Sequence, residues 1–315
     1  MMTQNAAGVE FRMDGSIHSM RLGIDLGGTK IEIIALADDG AQLLRRRVPA
    51  PRGDYQATIT AVTNLVGQAE HELGQQGSVG IGIPGAESHA TGLIKNANST
   101  WLIGRPFRFD LQAALRREVR LANDANCFAL SEATDGAAVG AEVVFGVILG
   151  TGVGGGIVVR GKVLAGANAI AGEWGHNRLP GDEPLWPACY CGRRGCVETF
   201  LSGSGLQRDH AQMHGTIGDP LDPAEIAARA AAGDAACDAT LRRYESRLAR
   251  ALAQIINILD PDAIVLGGGL SHIDRPYANV PKLWGAHVFS DQVVTRLLKN
   301  RHGDASGVRG AAWLW

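Results

Sequence analysis

Two glycine turns, each next to an apolar run, decide the fold of this chain. The first is Asp25-Leu-Gly-Gly-Thr-Lys30, which joins the apolar runs Arg21–Asp25 and Ile31–Ala37. The second is Gly150-Thr-Gly-Val-Gly-Gly-Gly156, which follows the apolar run Val143–Leu149. Each pattern is typical of a strand, a tight turn and a second strand, so the chain is predicted to contain one unit built twice.

Helices and strands are predicted to alternate around both turns. Apolar residues recur at helical spacing, as at Ile59, Val62 and Leu65. The predicted helices are Tyr55–Leu73, Leu111–Val119, Ala125–Ala138, Pro223–Ala232 and Ala239–Leu259. Further strands are predicted at Gln42–Val48, Val79–Ile83, Arg120–Ala122, Ile157–Val159 and Ala263–Leu266. This alternation is typical of an α/β fold, here with two similar domains and a cleft between them where ligands would bind.

The composition excludes several classes of protein. Of 315 residues, 45% are hydrophobic and 20% are charged, which is typical of a folded globular chain and not of a disordered one. The net charge of -2 lacks the basic excess of a nucleic-acid binder, and no apolar run is long enough for a membrane span. Residues 1–20 carry no signal-peptide pattern and are expected to form a disordered leader, with Met20 as a candidate natural start.

The first glycine turn is suited to binding phosphate. Gly27 and Gly28 let backbone N–H groups approach an anion, while Thr29 and Lys30 add a hydroxyl group and a positive charge. Asp25, at the end of the strand, could hold a hydrated Mg²⁺ ion. The alternative is a tight hairpin with polar residues on the surface.

The second turn is predicted to be another phosphate-binding hairpin, formed by Gly150, Thr151, Gly152 and Gly154. A dinucleotide-binding turn must open a helix, whereas the residues that follow here predict a strand. A bulged hairpin without a ligand is the alternative. A third glycine run, after a buried strand, would let a flat base lie on the backbone of Gly267, Gly268 and Gly269. Together the three turns suggest a nucleotide that lies across the cleft.

Four residues match a Cys₃His metal site. They are His176, Cys189, Cys191 and Cys196. Three thiols and an imidazole in this close spacing predict a tetrahedral, structural Zn²⁺ site, with free thiols as the alternative. The other two cysteines, Cys127 and Cys237, are expected in the core. Cysteines distributed in this way do not form a disulfide framework, and they favour a reduced, cytoplasmic location.

Three carboxylates lie next to these motifs. Asp124 ends one predicted strand and begins a helix, where it could act in the chemistry or only as an N-cap. Glu173 and Glu198 flank the predicted zinc site, which would fix both of them in space. Carboxylates held in this way would suit a ligand with several hydroxyl groups, such as a sugar. The alternative is that each is a surface charge.

These motifs together resemble the ROK family of sugar kinases and repressors. The resemblance runs from about residue 21 to the end of the chain and is most specific in Cys191-Gly-Arg-Arg-Gly-Cys196-Val-Glu198. Asn123-Asp124 and Glu173-Trp-Gly-His176 carry it as well. It implies two actin-like, ribonuclease-H-like α/β domains with an interdomain cleft. The first would span residues 21–123, with the tail at about 300–315 packing back on it, and the second, at 124–299, would contain the zinc site.

The resemblance also implies an activity. The family transfers the γ-phosphoryl group of ATP to a hexose hydroxyl with Mg²⁺, and domain closure would exclude water. Asp124 would be the general base that accepts the hydroxyl proton, and the two hairpins would bind the phosphates. The residues implied to bind the sugar are Asn98, Asn123, Asp124, Glu173, His176 and Glu198. His176 would use its other ring nitrogen for zinc, and a homodimer is implied.

Within the family, the segments Lys95–Trp101 and Val308–Trp315 look most like bacterial fructokinases of the mannofructokinase type. This predicts phosphorylation of D-fructose to fructose 6-phosphate and leaves activity on mannose open. A kinase for glucose or for an N-acetylated hexosamine is the alternative. A sugar-responsive repressor is disfavoured because no helix-turn-helix pattern precedes Arg21. A catalytically dead sugar-binding protein is disfavoured by the presence of Lys30 and Asp124.

Overall fold

Two five-stranded sheets form the frame of the molecule. The computed structural model describes residues 20–215 and 220–315, together with a short antiparallel pair, Thr3–Gln4 with Glu10–Phe11. The strands of the first half are β1 Met20–Leu26, β2 Lys30–Leu36, β3 Gln42–Pro49, β4 Gly77–Ile83, β5 Ala86–Glu87, β6 Ile94–Lys95 and β7 Val119–Asn123. The first sheet has the order β3-β2-β1-β4-β7, in which β1 is antiparallel to β2 and parallel to β4.

The second sheet repeats this arrangement. Its strands are β8 Val143–Leu149, β9 Val153–Val159, β10 Lys162–Val163, β11 Ala263–Gly267 and β12 Arg296–Lys299. Strand β8 is antiparallel to β9 and parallel to β11, in the order β10-β9-β8-β11-β12. The prediction of an α/β fold with one unit built twice is therefore confirmed.

The helices cover the faces of the sheets. They are α1 Tyr55–Leu73, α2 Phe107–Leu115, α3 Asp124–Thr134, α4 Glu198–Leu201, α5 Gly203–His214, α6 Pro223–Ala231, α7 Ala235–Leu259, α8 Arg275–Trp284 and α9 Ser306–Ala312. Local sequence explains the bounds of α1, because the Asp54 side chain accepts a hydrogen bond from the N–H of Ala57 and Gly74 ends the helix in the left-handed conformation. The helix predicted at Leu111–Val119 lies earlier in the chain, because Arg116 adopts a left-handed backbone and ends α2.

The last helix, α9, joins the two halves. It packs against β1, β2 and β4 of the first sheet and along α3 of the second half. The backbones approach so closely that a Cβ atom on Gly310 would collide with the carbonyl group of Cys127 in α3. A Cβ atom on Gly80 in β4 would collide in the same way with the carbonyl group of Ala311. Because only glycine fits at these two positions, α9 can lie directly on both halves.

Each sheet has its own apolar core. Ile24 and Ile81 belong to a buried cluster in the first half, and Phe145 and Ile264 belong to one in the second. None of the helices in the described ranges is both long and apolar enough to cross a membrane. Most of the predicted leader, residues 1–20, lies outside the described residues, so the leader remains a prediction. The domain boundaries remain predictions as well.

Candidate active site

A cavity of about 220 Å³ opens between the two halves of the molecule. Its wall is made of residues at strand ends and in the loops that follow them. The predicted site residues that line it are Asn98, Asn123, Asp124, Gly150, Thr151, Gly152, Gly154, Glu173, His176 and Glu198. The structure thus brings all of the residues predicted to bind the sugar together with the second glycine turn.

Asp124 occupies the first position of α3, directly after β7. The N–H of Ala125 donates to Asp124 Oδ1 at 2.8 Å and to the Asn123 side chain at 2.9 Å, and Asn123 donates to the carbonyl group of Gly85 at 3.2 Å. Burial raises the pKa of Asp124 to about 6, although the Ala125 N–H opposes the rise, and the charge of Glu173 adds to it. The carboxylate is therefore held at the start of the helix with a pKa that is close to the range suited to a general base.

Asp25 is a second buried carboxylate, at the end of β1. Burial raises its pKa to about 6, the charges of Asp124 and Glu32 add to the rise, and Lys30 and Arg47 oppose it. The carboxylates of Asp25 and Asp124 thus repel each other, and a divalent cation near them would relieve that repulsion. The residues present fit the Mg²⁺ ion that the resemblance implies.

The second glycine turn is shorter than predicted. The N–H of Gly150 donates to the carbonyl group of Gly152 at 3.0 Å, and β9 begins at Val153, so the glycines from 154 onward lie in a strand. That strand lies directly against α3, where a Cβ atom on Gly156 would collide with the helix backbone. Glu198, the first residue of α4, accepts a hydrogen bond from the N–H of Val153 at 3.0 Å. The turn is therefore fixed to the segment that carries the cysteines.

The first and third glycine turns lie outside the wall of this cavity. The N–H of Gly27 donates to the carbonyl group of Lys30 at 3.0 Å, and the Arg52 side chain donates to the carbonyl group of Gly28 at 2.9 Å. At the third turn, Gly268 has a φ angle of 79°. Because β8 and β11 are parallel neighbours, the second and third turns follow strands that end at the same edge of the sheet.

The four predicted zinc ligands converge. One ligand atom from each lies within 4.8 Å of the others, and Cys189 Sγ is 3.6 Å from His176 Nδ1, as Cys191 Sγ is from Cys196 Sγ. The usual bond lengths of tetrahedral zinc place such ligand atoms about 3.6–3.8 Å apart. The backbone N–H of Arg193 lowers the pKa of Cys191 to about 6, whereas burial raises the pKa of Cys189 and raises that of Cys196 to about 12. Cys191 thus favours the thiolate that a metal requires, and the other two thiols would lose their protons on binding it. The donor set therefore fits Zn²⁺.

A short turn, Trp174–His176, holds Glu173 and His176 at the cavity. The buried indole of Trp174 donates to the carbonyl group of Gly154 at 3.0 Å and packs edge-on against Phe145, with ring centroids 5.7 Å apart. These two contacts join the turn to β9 and β8. Glu173 and His176 are thus positioned by packing in the second core as well as by the cysteine-rich segment.

Sequence reasoning missed Asn96 among the polar side chains of the wall, and it also missed Tyr190. Its hydroxyl group lies 2.9 Å from His176 Nε2, the ring nitrogen that faces away from the cysteines. Its place between Cys189 and Cys191, two of the proposed metal ligands, is a signal that its backbone lies near His176, but the direction of its side chain depends on the folded segment.

The family of this chain follows from its sequence as well as from this geometry. The sequence profile of the ROK family matches residues 21–315. The chain belongs to the ROK family. N-acetyl-D-glucosamine kinases from Yersinia pseudotuberculosis serotype IB (strain PB1/+) and Escherichia coli O9:H4 (strain HS) are 42% and 44% identical to it. Each alignment covers 94% of this chain, and 98% and 99% of the respective relatives.

Solved structures of the family share the architecture. The ROK hexokinase from Thermus thermophilus superposes with a TM-score of 0.82 at 32% identity, covering 94% of this chain and 97% of that one. A ROK glucokinase from Streptomyces griseus, in complex with glucose and AMPPNP, gives a TM-score of 0.75 at 26% identity, covering 93% and 98%. The chain has the two-domain, actin-like α/β fold of these kinases and is a sugar kinase of the ROK family.

The choice of sugar expected from the sequence gains no support from these relatives. The segments Lys95–Trp101 and Val308–Trp315 suggest a fructokinase. The relatives described above are N-acetyl-D-glucosamine kinases and align over nearly their whole length. They favour the alternative of an N-acetylated hexosamine over fructose.

Proposed function

We propose that this protein transfers the γ-phosphoryl group of ATP to the 6-hydroxyl group of a sugar bound in the cavity, with Asp124 as the general base. The observation that carries this proposal is the buried Asp124 carboxylate, whose pKa is raised to about 6 within a wall of polar side chains. Attack on a loose phosphoryl transition state requires positioning and a proton acceptor, and no covalent nucleophile. As the new O–P bond forms, the hydroxyl proton passes to Asp124 and ADP leaves with the electron pair of the broken bond.

The wall of the cavity offers the hydrogen-bonding groups that sugar hydroxyls need. The amides of Asn98 and Asn123 donate and accept, and the carboxylates of Glu173 and Glu198 accept. The imidazole of His176 lines the cavity as well, with Nε2 next to the hydroxyl group of Tyr190. A hydroxyl group can both donate and accept, so each can be paired twice in such a wall. This arrangement supports a polyhydroxyl substrate.

The glycine turns are proposed to bind the nucleotide. Turns 27–30 and 150–152 follow β1 and β8, and both would present backbone N–H groups to phosphate oxygens. Turn 267–269 would contact the base. Mg²⁺, held at Asp25, would neutralise charge on the phosphates, and Lys30 would add a fixed positive charge.

Zinc is proposed to have a structural role. A site with four protein ligands, His176 and cysteines 189, 191 and 196, leaves no open position for a substrate. Zinc there would hold the segment that carries Glu198 against the turn that carries His176. Both side chains would then be fixed before the sugar arrives.

N-acetyl-D-glucosamine is the sugar we propose first, because kinases for it align with 94% of this chain at 42–44% identity. Fructose is the second candidate, and one specific observation favours it. Asn96 and Asn98 line the cavity and belong to the segment Lys95–Trp101, which resembles bacterial fructokinases.

A coupled ATP assay with N-acetylglucosamine, fructose, mannose and glucose tests both candidates. We expect kcat/KM for N-acetylglucosamine to exceed that for every other sugar. A higher kcat/KM for fructose would replace the first candidate with the second. The absence of turnover with all four sugars, in the presence of Mg²⁺ and bound zinc, would contradict the proposed function.

A further inference from the structure

Tyr190 follows one proposed zinc ligand and precedes another, yet its side chain faces the sugar cavity. The hydroxyl oxygen is 2.9 Å from Nε2 of His176. The phenol and imidazole rings meet edge-on, with centroids 5.1 Å apart and an interplanar angle of 85°. Although these contacts are specific, 79% of the residue remains exposed. Tyr190 is therefore held on one side only and can leave His176 without disturbing a packed core.

The polarity of this hydrogen bond follows from the other side of the imidazole ring. His176 Nδ1 faces Cys189 Sγ at 3.6 Å, within the group of proposed zinc ligands. A histidine that binds a metal through one nitrogen carries its proton on the other. Nε2–H of His176 therefore donates to the Tyr190 oxygen, which presents to it the same kind of acceptor as a sugar hydroxyl oxygen.

We propose that Tyr190 is a positioning residue of the sugar site, whose hydroxyl group occupies the Nε2–H donor of His176 until a hydroxyl group of the sugar replaces it. This inference rests on the proposed function, because it requires a sugar in the cavity. In the free protein the hydrogen bond gives the imidazole a fixed orientation. On binding, the sugar takes over the donor, and the exposed phenol hydroxyl returns to water.

The exchange has a direction that can be measured. Since the sugar must displace Tyr190, the hydrogen bond between Tyr190 and His176 opposes sugar binding. In the Tyr190→Phe variant, Nε2–H faces water before the sugar arrives. The sugar then displaces only water and breaks no hydrogen bond within the protein. We expect the dissociation constant and KM of the preferred sugar to fall by roughly 3- to 10-fold, the size of one net hydrogen bond. We expect kcat and the KM for ATP to change by less than about twofold, because the sugar takes the same place at His176 in both proteins.

The variant is compared with Tyr55→Phe, which removes a phenol hydroxyl that donates to Asp110 outside the sugar cavity. Titration calorimetry with N-acetylglucosamine and with fructose gives the dissociation constants, and steady-state kinetics separates KM from kcat. Unchanged or weaker sugar binding in Tyr190→Phe would overturn the inference, since it would show that the phenol is not displaced or that it binds the sugar itself.

A second measurement does not depend on activity. In the zinc-loaded, sugar-free protein, NMR follows solvent exchange of the His176 Nε2 proton. We expect this proton to exchange faster in Tyr190→Phe than in the wild type or in Tyr55→Phe, and equal rates would overturn the inference. If the wild type binds none of the sugars, the proposed function fails, and the exchange rate still decides whether Tyr190 holds the imidazole.

Discussion

The two glycine turns of the repeated unit occupy equivalent places in their sheets, but the charged side chains next to them come from different parts of the chain. In the first half the charged groups belong to the turn and its strands, since Asp25 lies in β1 and Lys30 begins β2. In the second half the turn Gly150–Gly152 has no charged side chain, and Glu198 reaches it from the cysteine-rich segment and accepts from the N–H of Val153. The two halves thus share the geometry of the turn, whereas the charged side chains that surround it differ.

The largest expected effect is that of Asp124→Asn, which tests whether Asp25 in the first half can replace the proposed base. Asp124→Asn should lower kcat by roughly 10²- to 10⁴-fold, the usual contribution of a general base. Asp25, although buried and similar in pKa, is proposed to hold Mg²⁺ and should not compensate. The amide oxygen can still accept from the N–H of Ala125, so the fold should be kept. Steady-state kinetics gives kcat, and calorimetry should show sugar affinity within about threefold of the wild type. A kcat within tenfold of the wild type would remove Asp124 from the role of base.

The next effect should be confined to the second copy. Cys191→Ser should abolish the binding of one zinc ion per chain and lower Tm by about 5 °C or more, because the proposed metal would tie the cysteine segment that precedes Glu198 to the turn that carries His176. Loss of that support should lower kcat/KM for the sugar by roughly 10- to 100-fold, while the KM for ATP, proposed to depend also on the first turn, changes less. Elemental analysis, calorimetry and kinetics measure the three quantities. Cys237→Ala, in the core of the second half, is the control and should keep its zinc. Full zinc content in Cys191→Ser would contradict the assignment.

The repeated architecture could be predicted from sequence because its signals are local. Asp54 and Gly74 bound α1 as the sequence indicates. Helix α8 escaped prediction, because Pro276 and Pro281 normally indicate a break, whereas here Pro276 lies in the first turn of the helix, where proline is tolerated. Helix α2 was placed too late, because the left-handed backbone of Arg116 has no clear sequence signal.

The candidate site could be predicted to a similar degree. Polar residues that the motifs contain, such as Asp124 and Glu198, do line one cavity. The sequence predicts a turn for the glycines after residue 153, whereas they lie in β9. Glycine is needed there because the strand packs closely against α3, and this contact depends on tertiary structure. Tyr190 was missed for the same reason, since only the folded cysteine segment directs its side chain to His176.

The pH dependence of kcat/KM should reflect one carboxyl group from each half, Asp25 and Asp124. Burial raises the pKa of Asp25 and of Asp124 to about 6, so both carboxyl groups gain protons as the pH falls through that value. Because the base must be deprotonated, kcat/KM should be constant above about pH 7 and should fall about tenfold per unit below pH 6, or more steeply if both groups must ionise. Initial rates between pH 5 and 8 measure this profile. A profile that is flat down to pH 5 would show that neither carboxylate carries the step.

The smallest expected effect compares the turns directly. A Cβ atom on Gly152 would lie 2.7 Å from Glu198 Oε2, whereas one on Gly28 would have its nearest neighbour, Ser99 Oγ, at 3.9 Å. In Gly152→Ala the carboxylate must move, and as the end of a flexible side chain it can do so at modest cost. We therefore expect the sugar KM to rise about fivefold, close to the loss of one hydrogen bond. In Gly28→Ala the sugar KM should stay within about twofold, and any change should appear in the KM for ATP. Kinetics at saturating concentrations of the other substrate separate the two. Equal effects of both variants on the sugar KM would mean that the two turns are not specialised.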